Sequence, residues 1–303
     1  MNITRFKKLL DPNKKVLNIY HKDLDGCVSS IVMKNVYKNI EFKDLRYGQV
    51  NAYLKTLNFS NYDAVILTDI SPETEDAFDL ADNIFLLDHH DSALEFHNPD
   101  KNRIVIAGKS AALLVKDFYE MLLGVDLSYL NDLCDAANDY DMWINKDRRG
   151  WSLNEMYFKL WDIEFRKRFG NGDIVFTQAE QKHLDDNLKD LEERYKSTEI
   201  YKFDSINGCY IFATNYINEI CHKIMENKGY ELIIAFNPKT KNCSVRSIND
   251  NLHVGFMLQE LNFGGGHKPA GGFSVKEPIE MDDKLNKIEQ YIIKNVKDMK
   301  KNV

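Results

Sequence analysis

Four titratable side chains stand in a row at the end of an apolar run. Asn83-Ile84-Phe85-Leu86-Leu87 leads directly into Asp88, His89, His90 and Asp91. The run reads as a buried strand, and open α/β sheets gather their ligands at the carboxyl ends of strands. Carboxylate and imidazole together offer hard oxygen and borderline nitrogen donors to a metal ion. Alone, the cluster reads equally well as a polar loop that caps a strand.

Three further stretches tip that balance. Tyr20-His21-Lys22-Asp23-Leu24-Asp25-Gly26 follows one strand candidate, and Leu67-Thr68-Asp69-Ile70-Ser71 follows another. Ala136-Ala137-Asn138-Asp139-Tyr140-Asp141-Met142-Trp143 carries two more acids. In an extended loop, alternation would turn His21, Asp23 and Asp25 into one crevice. A donor set rich in oxygen, with few imidazoles and no thiolates, suits Mn²⁺ or Mg²⁺ better than zinc. More than four protein ligands point to two ions sharing a carboxylate, an arrangement that can hold a nucleophilic hydroxide for in-line phosphoryl displacement. Each stretch has a plainer reading as a turn or cap, Asp69 for a helix near Ser71-Pro72 among them. Four such coincidences at strand ends or helix starts are hard to credit.

The elements that must position these residues alternate. Strand candidates are Lys15–Tyr20, Ala64–Thr68, Ile84–Leu87 and Arg103–Ile106, with helical patterns over Ser29–Tyr37, Ser110–Leu123 and Leu127–Ala137. Such alternation predicts an α/β fold with a mostly parallel sheet flanked by helices over residues 1–150. Residues 151–200 are helical and charged and read as a helical linker, or else as a solvated helix of the first domain. Residues 201–303 read as a smaller C-terminal α/β domain, with strands over Cys209–Ala213, Glu231–Phe236 and Asn242–Ser247 and a closing helix over Asp283–Val296.

A net charge of −7 argues against a long grip on duplex nucleic acid. No apolar run approaches the roughly 18–20 residues of a membrane helix, and the N-terminal residues lack a secretory apolar region, so a cytoplasmic protein without membrane attachment is expected. The five cysteines form no Cys-x-x-Cys pair and predict neither a disulfide framework nor a thiolate zinc site.

With HKDLDG, LTDIS, LLDHH, AANDYDMW and a C-terminal FGGGHKPAGG in order, the chain resembles the DHH phosphoesterase superfamily with its C-terminal DHHA1 domain. Size and layout are similar to the nanoRNase/oligoribonuclease-like members, while the first motif is closer to the RecJ-like form. The resemblance implies that His21, Asp23 and Asp69 hold one Mn²⁺. Asp25, Asp69, His89 and Asp139 would hold the other, with Asp69 bridging and Asp139 preferred over Asp141. Asp88 would fix an imidazole tautomer, and the catalytic His90 would face the scissile phosphate.

The glycine-rich stretch Phe263–Gly272 has its own physical reading. Three successive glycines can take positive φ and turn their amides toward one anion, with His267 and Lys268 at the rim. A flexible turn is the alternative. The resemblance implies that Gly265, Gly266 and His267 contact substrate, with Arg246 at its phosphate or base end, across an interdomain cleft. Tyr47, Trp143 and Trp151 are candidates for base stacking.

The expected activity is therefore a two-metal, Mn²⁺-dependent (or Mg²⁺-dependent) phosphodiesterase releasing mononucleotides from short or single-stranded oligonucleotides or small nucleotides. A pyrophosphatase or polyphosphatase, or a metal-dependent nucleotide-binding regulator without turnover, are the other readings. A homodimer is left open by the sequence.

Overall fold

The computed structural model describes residues 6–7, 9–94, 102–266, 268–276 and 278–299. The chain divides into two compact units, Met1–Leu184 and Asp185–Val303.

The first unit is built on five parallel strands: β1 (Lys15–His21), β2 (Asn39–Leu45), β3 (Ala64–Thr68), β4 (Ile84–Asp88) and β5 (Arg103–Val105). Their order is β2-β1-β3-β4-β5. β3 and β4 are buried along their whole length, as continuous apolar runs in a sheet covered on both faces must be. One face packs beneath α1 (Leu24–Val36), α4 (Ala111–Leu123), α5 (Asn131–Asp141) and α6 (Arg148–Phe169), around Val28, Ile31, Phe85, Phe118 and Met156. The other face gathers Leu17, Ile19, Leu67, Leu86 and Phe78 with Val50 and Leu54 of α2 (Val50–Leu54). A single turn, α3 (Asp91–Leu94), follows β4.

β1 lies between β2 and β3, so chain connections leave it in opposite directions. That switch point is where doubly wound sheets open a crevice at their carboxyl edge. His21, Asp69 and Asp88 stand at the ends of β1, β3 and β4 beside it.

Two local readings change. The expected extended loop after β1 is instead the start of α1, whose N-cap is Asp23 accepting from the Gly26 amide at 3.0 Å. Asp25 therefore sits in the first helical turn. The segment read as a connecting helix forms two helices, α6 and α7 (Gln178–Ser197). Leu153, Met156, Tyr157, Phe165 and Phe169 of α6 belong to the first unit's core, which explains why that helix carries an apolar stripe.

The second unit holds a six-stranded mixed sheet of order β10-β11-β9-β8-β7-β6. The strands are β6 (Ile200–Lys202), β7 (Gly208–Phe212), β8 (Leu232–Asn237), β9 (Asn242–Ser247), β10 (Gly264–Gly266) and β11 (Ala270–Ser274). Only β7 and β8 pair in parallel. Ile233 and Ala235 pack with Ile220, Cys221 and Ile224 of α8 (Ile217–Lys228) and with Leu191 of α7. Leu232, Ile234 and Val245 pack with α9 (Val254–Glu260) and with Leu285, Ile288 and Ile292 of α10 (Pro278–Asn295). No helix among the described residues is long and apolar enough to cross a membrane.

Gly26 shows how tightly α1 meets β1. A Cβ there would lie 2.1 Å from the His21 carbonyl oxygen. Alanine ordinarily stabilises a helix interior by up to about 1 kcal/mol over glycine. Gly26→Ala is predicted to do the reverse, costing about 1–3 kcal/mol through overpacking. Thermal melts of the two proteins read the sign directly.

Candidate metal centre

His21 ends β1 and presents Nδ1 to Asp23 Oδ2 at 2.6 Å and to Asp69 Oδ2 at 3.9 Å. Asp69 follows β3 with φ of 61°, a left-handed conformation that a non-glycine residue adopts at some cost. His89 leaves β4 with Nε2 3.1 Å from Asp69 Oδ1, 3.6 Å from Asp141 Oδ2 and 3.8 Å from Asp25 Oδ2. Three overlapping donor groups result: His21, Asp23 and Asp69; Asp25, His89 and Asp141; and Asp69 with Asp88, His89 and His90. Within each group the ligand atoms lie within 4.8 Å of one another.

Several of these carboxylates are poorly provided for by the protein. Asp69 Oδ2 and Asp141 Oδ2 are buried and have no hydrogen-bond partner among the described residues. Burial, and then the charges of Asp23, Asp25 and Asp141, push the Asp69 carboxyl far above the usual range. Burial and Asp25 do the same to Asp141. Asp25 is also raised by burial, although its two oxygens accept the amides of Ala111 and Ala112 at the start of α4, at 2.6 and 2.9 Å. Buried anions are normally paired or bound to metal. Orphaned oxygens facing imidazole nitrogens fit a divalent cation bound by oxygen and a minority of nitrogen.

Asp23 and Asp88 differ. Burial opposes their ionisation, but His21 outweighs it at Asp23 and His90 outweighs it at Asp88, and both carboxyls are held below the usual range. Asp88 Oδ1 accepts the His89 amide at 2.8 Å and engages His90 Nδ1 at 2.7 Å, while Oδ2 accepts the Ser71 hydroxyl. With Nδ1 thus occupied, His90 Nε2 meets the hydroxyl of Tyr47. Although the Tyr47 ring is half exposed, loss of water around its hydroxyl and the charges of Asp69, Asp88 and Asp23 push that hydroxyl's pKa up.

The structure brings Asp141, and not Asp139, to this cluster. Both Asp139 oxygens are taken at 3.0 Å by backbone amides, of Lys146 and of Asp147, which fold the turn after α5. The two acids lie two residues apart on α5, so they cannot share a helical face. Tyr47, a base-stacking candidate, is half exposed, with its ring centroid 4.5 Å from that of His21. Beside this loop, Lys22, Lys43, Asp44, Arg46 and Gln49 line a groove.

In the second unit the glycine-rich stretch is a hairpin. Gly264, Gly265 and Gly266 form β10 and pair with Phe273, Gly272 and Gly271 of β11. Of the three only Gly266 takes positive φ, at 150°, so the expected nest of three amides gives way to an edge strand. A Cβ at Gly264 would lie 2.0 Å from the Gly272 carbonyl oxygen, whereas at Gly265 it would meet only Gln259 at 3.8 Å. Arg246 on β9 pairs with Ala270 of β11, and its guanidinium donates to Asn218 Oδ1 at 2.6 Å. His267 lies outside the described residues.

Residues 210–294, within the second unit, match the DHHA1 domain family. The solved structures similar to the whole chain share its fold at low identity. One is a DHH domain described as a member of a family of ribosomal proteins (TM-score 0.62, 14% identity, covering 96% of this chain and 88% of that one). Another is RecJ in complex with Mn²⁺ from Thermus thermophilus (TM-score 0.58, 14% identity). It is matched over 97% of this chain, which spans about half, 55%, of the RecJ chain. A pGpG-specific phosphodiesterase from Vibrio cholerae matches with a TM-score of 0.53 and 16% identity, over 91% of this chain and 98% of that one. Curated proteins include no match to the sequence. The resemblance drawn from the five motifs is borne out: the chain has the fold of the DHH superfamily with a C-terminal DHHA1 domain.

The crowded carboxylates make a prediction about stability. Unfolded, the Asp69 and Asp141 carboxyls titrate near 3.8. Folded and without cations they titrate higher, so the folded state binds more protons and stability falls as pH rises from about 4 through the raised values. Asp69→Asn should therefore melt above the parent protein in EDTA at neutral pH, by about 2–4 °C for each kcal/mol of repulsion removed. Millimolar Mn²⁺ should reverse the order by raising only the parent. A variant that melts below the parent in EDTA would show that Asp69 is a structural acid.

Proposed function

We propose that the chain is a two-cation, Mn²⁺-dependent phosphodiesterase, acting on short or single-stranded oligonucleotides or small nucleotides and releasing mononucleotides. One observation carries the reading: His21, Asp23, Asp25, Asp69, His89 and Asp141 converge at the sheet's switch point with two buried carboxylate oxygens unpartnered. His21, Asp23 and Asp69 would hold one cation; Asp25, Asp69, His89 and Asp141 would hold the other, Asp141 taking the place first given to Asp139. Such a pair, when bound, supplies Lewis acidity toward phosphoryl oxygens and lowers the pKa of water. RecJ crystallised with Mn²⁺ and a pGpG-specific phosphodiesterase have this fold, which supports the reading.

The protein's own residues orient and protonate. Asp88 takes His90 Nδ1, which fixes the ring and leaves Nε2 as the atom to meet the leaving oxygen. The Tyr47 hydroxyl marks where a substrate oxygen would bond and is itself a donor to it. On the second unit Gly265 has no steric reason to be glycine, which fits a backbone that a ligand approaches closely. Arg246, oriented by Asn218, would meet a phosphate or base there. Five buried free thiols suit a reducing, cytoplasmic setting.

The groove of Lys22, Lys43 and Arg46 favours a second reading, since a compact polyphosphate needs several cations. With Mn²⁺ supplied, release of a mononucleotide from a dinucleotide but no phosphate from tripolyphosphate is expected; the opposite pattern would replace the proposal.

Two substitutions test the ligand set. Asp141→Ala should lower Mn²⁺-dependent dinucleotide hydrolysis at least about a hundredfold, like Asp69→Ala. Asp139→Ala should act mainly on stability, by about 1–3 kcal/mol, because it leaves two turn amides without their acceptor. Turnover near the parent's in Asp69→Ala would end the bridging assignment.

A further inference from the structure

Trp161 breaks two rules at once. It sits inside α6 with φ of 58° and ψ of 174°, where the helix kinks. That combination is essentially reserved for glycine and costs on the order of 1–3 kcal/mol in any other residue. Its indole is nevertheless 51% exposed, beside Phe158 at 53%. The two rings meet edge to face with centroids 6.0 Å apart. A chain under no other constraint would place glycine or a polar residue here, removing both the strain and the exposed apolar surface.

The position of the kink supplies a reason. Lys22 lies over the Trp161 ring, 5.7 Å from its centroid, and Lys22 stands in the chain between His21 and Asp23. The ammonium is held there by Asp44 Oδ2 at 2.6 Å. Next to Trp161, Asp162 accepts a hydrogen bond from the Tyr157 hydroxyl at 3.2 Å, and its carbonyl faces Cys27 Sγ of α1 at 4.0 Å. The kink thus touches the element that carries the first motif, and the indole lies against Lys22, whose chain neighbours His21 and Asp23 are proposed cation ligands.

We infer that Trp161, backed by Phe158, is a stacking platform for a nucleobase of the substrate whose phosphate lies at the metal centre. A ligand that engages both a cation pair and an exposed indole carries phosphate and a planar ring on one molecule, which describes a nucleotide. The inference rests on the phosphodiesterase reading for its substrate class, though not on turnover. Stacking of one base on an aromatic side chain is sequence-tolerant and typically changes affinity by about five- to a hundredfold.

The test uses the full chain loaded with Mn²⁺ and two probes, adenosine 5′-monophosphate and ribose 5-phosphate. The parent should bind the nucleotide more tightly than the sugar phosphate. Trp161→Ala should reduce that preference about five- to a hundredfold, and Trp161→Phe should restore most of it. Dinucleotide hydrolysis should respond mainly through KM. Because glycine accepts the kinked backbone, Trp161→Gly should melt no lower than the parent while losing the same preference, which separates the platform from a structural role. An unchanged preference in Trp161→Ala, or equal weakening of both probes, overturns the assignment. A parent that shows the preference but cleaves no diester keeps the platform and defeats only the phosphodiesterase reading.

Discussion

The first unit is arranged around acids that repel one another at the edge of the core, Asp25 and Asp69 buried and Asp141 partly so. Asp25, Asp69 and Asp141 are each raised above the usual carboxyl range by burial and by their neighbours' charges. No rearrangement of the surrounding backbone removes that cost, because the side chains are delivered by separate strand ends and helices whose positions the core dictates. Part of it is offset within the protein. Two amides at the start of α4 receive Asp25, and three imidazoles, of His21, His89 and His90, stand among the carboxylates. The remainder is charge that a divalent cation could neutralise, and the parallel sheet is the scaffold that holds these acids together.

Among the buried aspartates, those bonded within the protein and those left short of partners differ in role. Asp88 is completely buried, yet it is bonded to Ser71, His89 and His90 and held in its charged form. Asp139 likewise spends both oxygens on a turn. Beneath the site, Asn18 donates to the Ile66 carbonyl and to the Thr68 hydroxyl, which also accepts from Ser29. These contacts tie the strand ends and α1 to one another. Among the acids of the cluster, Asp69 combines positive φ with an oxygen lacking a hydrogen-bond partner among the described residues, and Asp141 Oδ2 lacks one too. Proteins commonly depart from local rules at such places, where geometry is held for a ligand rather than for the fold.

Much of this was legible in one dimension. β3 and β4 were readable because a strand covered on both faces leaves an unbroken apolar run, and the acids that follow them mark the sheet's carboxyl edge. β2, written Asn-Ile-Glu-Phe-Lys-Asp-Leu, was not readable: an edge strand is half solvated and its polar residues hide the periodicity. β10 escaped for another reason. Glycine has no strand propensity, and only the pairing with β11 makes Gly264–Gly266 extended. Trp161 drew no notice, since nothing local distinguishes a kinked, exposed indole from a core one.

The choice between Asp139 and Asp141 draws the line most sharply. Residue types, order and spacing sufficed to announce an α/β sheet and an oxygen-rich cluster able to hold cations, because those properties are carried by composition and by short-range pattern; the DHHA1 domain came from the resemblance of the ordered motifs. Two aspartates separated by one tyrosine are chemically identical in the sequence, and either satisfies the motif. Their difference arises only when α5 packs against α1, α4 and α6: helical rotation of about 100° per residue sends one carboxylate to the turn amides and the other to His89. That decision belongs to the tertiary structure, since it depends on where a rigid helix is held relative to strands far earlier in the chain.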